Sequence, residues 1–173
     1  EAASAEAQIV NIWTAMEVLV PRETGSKLSS VRGTLLPFLV HGHTERVLYW
    51  LCGDLLRWER RRVGRVLGKV RVDGVERLHH KLAAVLVDAD FQALKNELFE
   101  IASTYTLLCF RMHQVSVLLR SRKSVRESIE VHEQLVRWQI ERIYRARNQV
   151  VHDGNAPVFI DQLVENAHVY LDA

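Results

Sequence analysis

Cysteine, proline and glycine are all scarce in this chain of 173 residues, which has two, three and eight of them. The cysteines, Cys52 and Cys109, lie far apart in apolar segments and form no paired spacing for a metal or redox site. That usage fits a reduced, cytoplasmic protein. So few prolines and glycines leave long stretches free to stay helical. Apolar runs such as "TLLPFLV" are far shorter than the roughly 20 residues a membrane-spanning helix needs, so no membrane partner is expected. No sign of charge dominates either. A net charge of +2 does not imply nucleic-acid binding, and any such argument rests on where the charges sit. What remains is an ordinary globular balance, 48% hydrophobic and 25% charged, of a length suited to one domain over residues 1–173. The opening "EAASAEAQ" has neither an initiator Met nor a signal-peptide pattern, and the chain is expected to be a fragment of a larger protein.

Apolar residues recur at three- and four-residue intervals, which predicts an all-α helical bundle. The expected helices cover about Ala5 to Val20, ended by Pro21 and a polar loop; Leu28 to Val40, disturbed by Gly33 and Pro37; and Thr44 to Leu67, with Thr44 as N-cap. Further helices are expected from Val75 to Val87, from there to about Ser121 as one helix or two joined by a kink, and from Val125 to Val151. The segment "FIDQLVENAHVYL" closes the chain. Asp88 or Asp90 is placed to cap the fifth helix. Around residues 68–76, "GKVRVDGVE" predicts a short hairpin or a loop at Asp73-Gly74.

One stripe carries an anomaly. Ile129, Val136, Ile140 and Ile143 lead to Arg147, then Val150 and Val151, so a guanidinium falls on the apolar side. Such a group needs a carboxylate or an open anion site, because desolvating it alone costs several kcal/mol. Glu17, on the apolar side of the first helix, could pair with it and merely tie two helices together. Asn148 and His152, four residues apart, share a face on which the amide can orient the imidazole. Arg147 and His152 are about 140° apart on a regular helix, so the helix must end near His152 or a second subunit must complete the site. Asp153-Gly154 is a helix stop. Arginine beside histidine suits RNA cleavage through the 2′-hydroxyl. The imidazole moves a proton near neutral pH, and the guanidinium fork stabilises phosphoryl charge without a metal or cofactor.

These residues resemble a known family. "RNQVVH" fits the R-x4-H motif of HEPN domains, the all-helical ribonuclease modules of prokaryotic toxin, antiviral-defence and CRISPR-associated systems. "IVNIWTAMEVLVP" and "QIERIYRARNQVVHDG" look like the first and closing helices of the Apea-like HEPN group, and they frame nearly the whole chain. The resemblance implies a metal-independent endoribonuclease with Arg147 and His152 as catalytic pair, Asn148 orienting the site and Glu17 supporting it. It also implies a homodimer with two motifs facing one cleft, and regulation by an antitoxin-like partner or covalently linked sensor domains. A HEPN domain can instead be a non-catalytic dimerisation or sensing module. The His-x-Tyr continuation of HEPN toxins neutralised by nucleotidyltransferases is replaced here by His152, Asp153 and Gly154, which argues against that mode.

"RWERRRVGRVLGKVR" sets Arg57, Arg60, Arg61, Arg62, Arg65, Lys69 and Arg71 against the single Glu59, as an RNA-backbone surface or as a solvated helix face. "SRKSVRES" reads as the connection before the last long helix, and the basic cluster "RSRKSVR" as the cap of a helix end, with phosphate binding as its alternative. His41, His43, His79 and His80 have no Cys, Asp or Glu at a recognised ligand spacing, so no metal is expected. His113 and His132 read as hydrogen-bonded structural residues. Trp50, Trp58 and Trp138 lie among apolar neighbours, which favours core packing or a helix interface over base stacking.

Overall fold

Helix formation begins where a side chain can satisfy an orphan amide. Ser4 Oγ accepts from the Ala7 N–H at 3.3 Å and opens α1 (Ala5–Val18). The computed structural model describes residues 4–21 and 25–171. Among them are α1, α2 (Lys27–Val40), α3 (His43–Gly68), α4 (Leu78–Val87), α5 (Gln92–Ala102), α6 (Thr106–Leu118), α7 (Arg122–Asp153) and α8 (Ile160–Leu171), with no strand. The all-α expectation holds. The polar loop after Pro21 falls largely on residues 22–24, outside the described residues.

Contacts divide the chain into two units, Glu1–His41 with Glu130–Ala173, and Gly42–Ile129. In the first, α1 buries Ile9, Ile12, Trp13 and Met16; α2 adds Val31 and Leu36; α7 adds Val136, Ile140, Ile143 and Ala146; and α8 adds Ile160, Leu163, Val164 and Ala167. Pro37 lies inside α2 without ending it. The carbonyl it strands belongs to Gly33, four residues back, and both residues are exposed, so the lost hydrogen bond falls on the solvent side of the helix.

The second unit packs Leu51 and Leu55 of α3 with Leu82 and Val85 of α4, Leu98 and Ile101 of α5, and Leu108 and Met112 of α6. Gly42, with φ of 71°, is the N-cap of α3, and Thr44 already lies inside the helix. At Glu59 the backbone leaves helical values (φ −142°, ψ 68°) and kinks α3. Residues 69–77 form a loop, not a hairpin: Gly74 has φ of 75°, and the Val75 N–H donates to Val72 O at 3.1 Å. Asp88 accepts from the Asp90 N–H at 3.0 Å and caps the 3-10 turn Ala89–Phe91, whereas the N-cap of α5 is Phe91, with no side-chain cap hydrogen bond. A break at residues 103–105 separates α5 from α6, and "SRKSVRES" is mostly the first turns of α7 instead of a connection. Cys52, 4% exposed, has its thiol raised to about 11 by burial, and no described helix is long and apolar enough to cross a membrane.

Core packing does not hold for the tryptophans expected to show it. Trp50, Trp58 and Trp138 are 54%, 44% and 55% exposed, so none is a core residue. Trp138 is about 200° round the helix from buried Val136, which turns it outward. Trp58 would continue the Leu51–Leu55 stripe, but the Glu59 kink follows it immediately, and it stacks instead on Tyr105 at 5.1 Å between ring centroids.

Candidate functional site

The apolar stripe of α7 runs through Ala146, 3% exposed, to half-buried Val150, so Arg147 falls on its margin and is half-buried. Arg147 Nη1 donates to Asn148 Oδ1 at 2.9 Å, and its buried Nε has no hydrogen-bond partner among the described residues. Glu17 does not neutralise it. The Glu17 carboxylate accepts from Trp13 Nε1 at 2.7 Å and pairs with Lys27 Nζ at 3.4 Å, both on Oε1. Among the described residues Arg147 has no ion pair, so the inter-helix tie is not formed.

Asn148 therefore holds the guanidinium rather than the His152 ring. His152 is exposed in the last turn of α7, which stays helical through Asp153. Arg147 and His152 consequently remain about 140° apart around one helix and do not converge within the chain. Gly154 provides the expected stop, with φ of 67° and its N–H donating to Val150 O at 3.2 Å. A Cβ at Gly154 would meet nothing within 4 Å, so Gly154→Ala is expected to cost only the left-handed backbone penalty, about 1–2 kcal/mol, measured by urea denaturation. After that turn, Phe159 lies under the Arg142 guanidinium, 5.2 Å from its ring centroid, and brings the chain back beside α7.

Tyr144, one turn before Arg147, leans on Trp13 at 5.0 Å between centroids. Trp13, Glu17 and Tyr144 thus form one patch. Beside Glu17 lies a cavity of about 370 Å³ bounded by Val20, Lys27 and Val31; neither Arg147 nor His152 lines it.

The basic run belongs to the other unit. Arg57 pairs with Asp54 at 2.9 Å, and Arg111 pairs with the same carboxylate, so Arg57 is partly neutralised. Lys69 pairs with Glu97 at 2.8 Å, and Arg71 donates to the Gly68 carbonyl. Arg60, Arg61, Arg62 and Arg65 are exposed and have no carboxylate partner among the described residues. Next to them, Trp58, Tyr105 and Leu107 line a cavity of about 290 Å³ with Arg57 and Arg111.

Sequence spacing missed one cluster. Glu45, at the start of α3, receives His79 Nε2 and His80 Nε2 on the same oxygen, each at 3.2 Å, with Arg77 Nη1 at 3.4 Å. Glu45 precedes His79 by 34 residues, too far for any local ligand pattern, and only the packing of α4 on α3 joins them. His79, and secondarily His80, holds the Glu45 carboxyl below its ordinary range by hydrogen bonding. His113, expected to be hydrogen-bonded inside a helix, is exposed and has no hydrogen bond among the described residues.

Compared with known proteins, the chain matches no family model, no curated protein and no solved structure.

Proposed function

We propose that this chain is a HEPN-type, metal-independent endoribonuclease acting in the cytoplasm, with Arg147 and His152 as its catalytic residues. The observation that carries the reading is Arg147: a half-buried guanidinium with no carboxylate partner among the described residues, oriented by Asn148 at 2.9 Å. The buried Arg147 Nε has no hydrogen-bond partner among the described residues, and an incoming phosphate would supply an acceptor. His152, exposed on the last turn, is accessible to a 2′-hydroxyl or a leaving oxygen. Their separation around α7 favours a site completed by a second copy, in which the arginine of one protomer meets the histidine of the other. Arg60, Arg61, Arg62 and Arg65 would bind the RNA backbone, and the half-exposed Trp58–Tyr105 pair offers a surface on which a base can stack.

In this mechanism an imidazole takes the proton from the 2′-oxygen, which attacks the adjacent phosphorus. Arg147 stabilises the charge on the pentavalent phosphate, and the 5′-oxygen leaves after protonation. The products carry 2′,3′-cyclic phosphate or its hydrolysed form. The test is incubation of RNA with wild type in EDTA, alone and with any activating partner, followed by mapping of the cut ends. Ends bearing a 3′-hydroxyl, or cleavage no greater than that of an Arg147→Ala/His152→Ala double variant, would leave the non-catalytic module as the better reading.

A further inference from the structure

We propose that Glu45, His79 and His80 bind a divalent transition-metal cation, with zinc the ion best suited to the donor set. Their ligand atoms, one from each side chain, lie within 4.8 Å of one another. In a tetrahedral zinc site with bonds of roughly 2.0–2.1 Å, neighbouring ligand atoms stand about 3.3 Å apart. The two Nε2–Oε1 distances of 3.2 Å match that edge.

As hydrogen bonds the same contacts are poor. Charge-assisted N–H···O bonds settle at about 2.7–2.9 Å. Here three donors at 3.2, 3.2 and 3.4 Å crowd one carboxylate oxygen, which has two lone pairs. A cation among these atoms would reverse the problem: each imidazole would turn a lone pair inward, and its proton would reside on Nδ1.

Burial and bracing add to the case. His79 is the one polar residue in the buried class among the described residues, 9% exposed, and the Tyr49 ring stands edge-on to it at 5.7 Å. The His79 and His80 rings lie 4.3 Å apart at 70°. Adjacent helix residues do not ordinarily face one another, so convergence on one point is informative. Arg77 is the opposing feature. Its side chain is 71% exposed, so it can swing into water, and an exposed pair of this kind contributes little. Two imidazoles and one carboxylate favour zinc or its neighbours over magnesium or calcium, which prefer all-oxygen shells. The three protein ligands leave a fourth position for water, and the bound ion would clamp the start of α3 to the start of α4.

This site lies in the Gly42–Ile129 unit, whereas Arg147 and His152 lie beyond Glu130, so the inference does not rest on the ribonuclease reading. Its test is calorimetric titration of EDTA-treated, dialysed protein with ZnCl2 alone, with CoCl2 absorption as a second readout. One equivalent should bind, with the intense visible bands of four- or five-coordinate cobalt. His80→Ala and Glu45→Gln, at side chains 41% and 50% exposed, are preferred to a change at buried His79, and circular dichroism checks that they fold. Each should weaken binding at least about tenfold, while the exposed control His113→Ala should not. Absence of stoichiometric zinc binding by folded wild type, or equal affinity in folded His80→Ala and Glu45→Gln, overturns the site.

Discussion

His152→Ala is expected to lower RNA cleavage by about 10²–10⁴-fold, the range for loss of a general acid–base group. Its folding free energy should stay within about 0.5 kcal/mol of wild type, because the side chain is exposed. Arg147→Ala should lose activity on a similar scale through loss of phosphoryl charge stabilisation, and Arg147→Lys should recover only part of it, since an ammonium lacks the planar fork. The stability of Arg147→Ala discriminates between roles. A buried ion pair with Glu17 would make the truncation cost about 3–5 kcal/mol by stranding a carboxylate. Glu17 is instead served by Trp13 and Lys27, so the loss should be small. Single-turnover cleavage and urea denaturation on the same variants decide the matter, and a large stability loss with unchanged cleavage would sink the catalytic assignment.

The separation of Arg147 and His152 around α7 extends that expectation to mixtures. If each site takes its arginine from one protomer and its histidine from the other, a random mixture of Arg147→Ala and His152→Ala chains contains heterodimers with one intact site. About a quarter of wild-type activity should then return. Two inactive preparations that stay inactive on mixing, after subunit exchange is demonstrated, would exclude a site shared in this way.

Local pattern made the helices legible, and the failures have local causes. The Gly154 stop is readable because it acts within a few residues, and Asp88 shows the same local reach, although it caps the 3-10 turn ahead of α5 and not α5 itself. Thr44 was misplaced as N-cap because Gly42, free to adopt positive φ, starts α3 earlier. The Glu59 kink carries no sequence signal such as proline or glycine, and on a straight helix Trp58 would fall on the core side. Arg147 falls on the apolar side in the sequence pattern because the stripe can pass through either residue 146 or 147, and the smaller Ala146 takes the buried position. Glu45 could not be joined to His79 and His80 from spacing, since their meeting depends on how α4 packs on α3. Residue types and local endings are written in the chain, whereas partners 34 or more positions away appear only in the fold.

Trp13→Ala is expected to have the largest effect on stability, about 3–5 kcal/mol, a substantial part of the roughly 5–15 kcal/mol that holds a domain together. Trp13 is fully buried among Ile9, Met16, Ile140 and Ile143, its ring supports Tyr144, and its Nε1–H is bound by Glu17. Truncation would open a cavity and leave Glu17 with only the Lys27 ion pair. Trp13→Phe should cost less, about 1–3 kcal/mol, because it keeps most of the apolar volume and removes chiefly the charge-assisted hydrogen bond. Urea denaturation followed by circular dichroism measures both, and a loss below about 1 kcal/mol for Trp13→Ala would show that the first unit does not depend on this anchor. Cleavage adds a second contrast. Tyr144 lies one turn from Arg147, so Trp13→Ala should lose activity in step with its folded fraction and regain it on moderate cooling. His152→Ala should remain folded and inactive at every temperature, because no gain in folded population can restore a missing proton carrier.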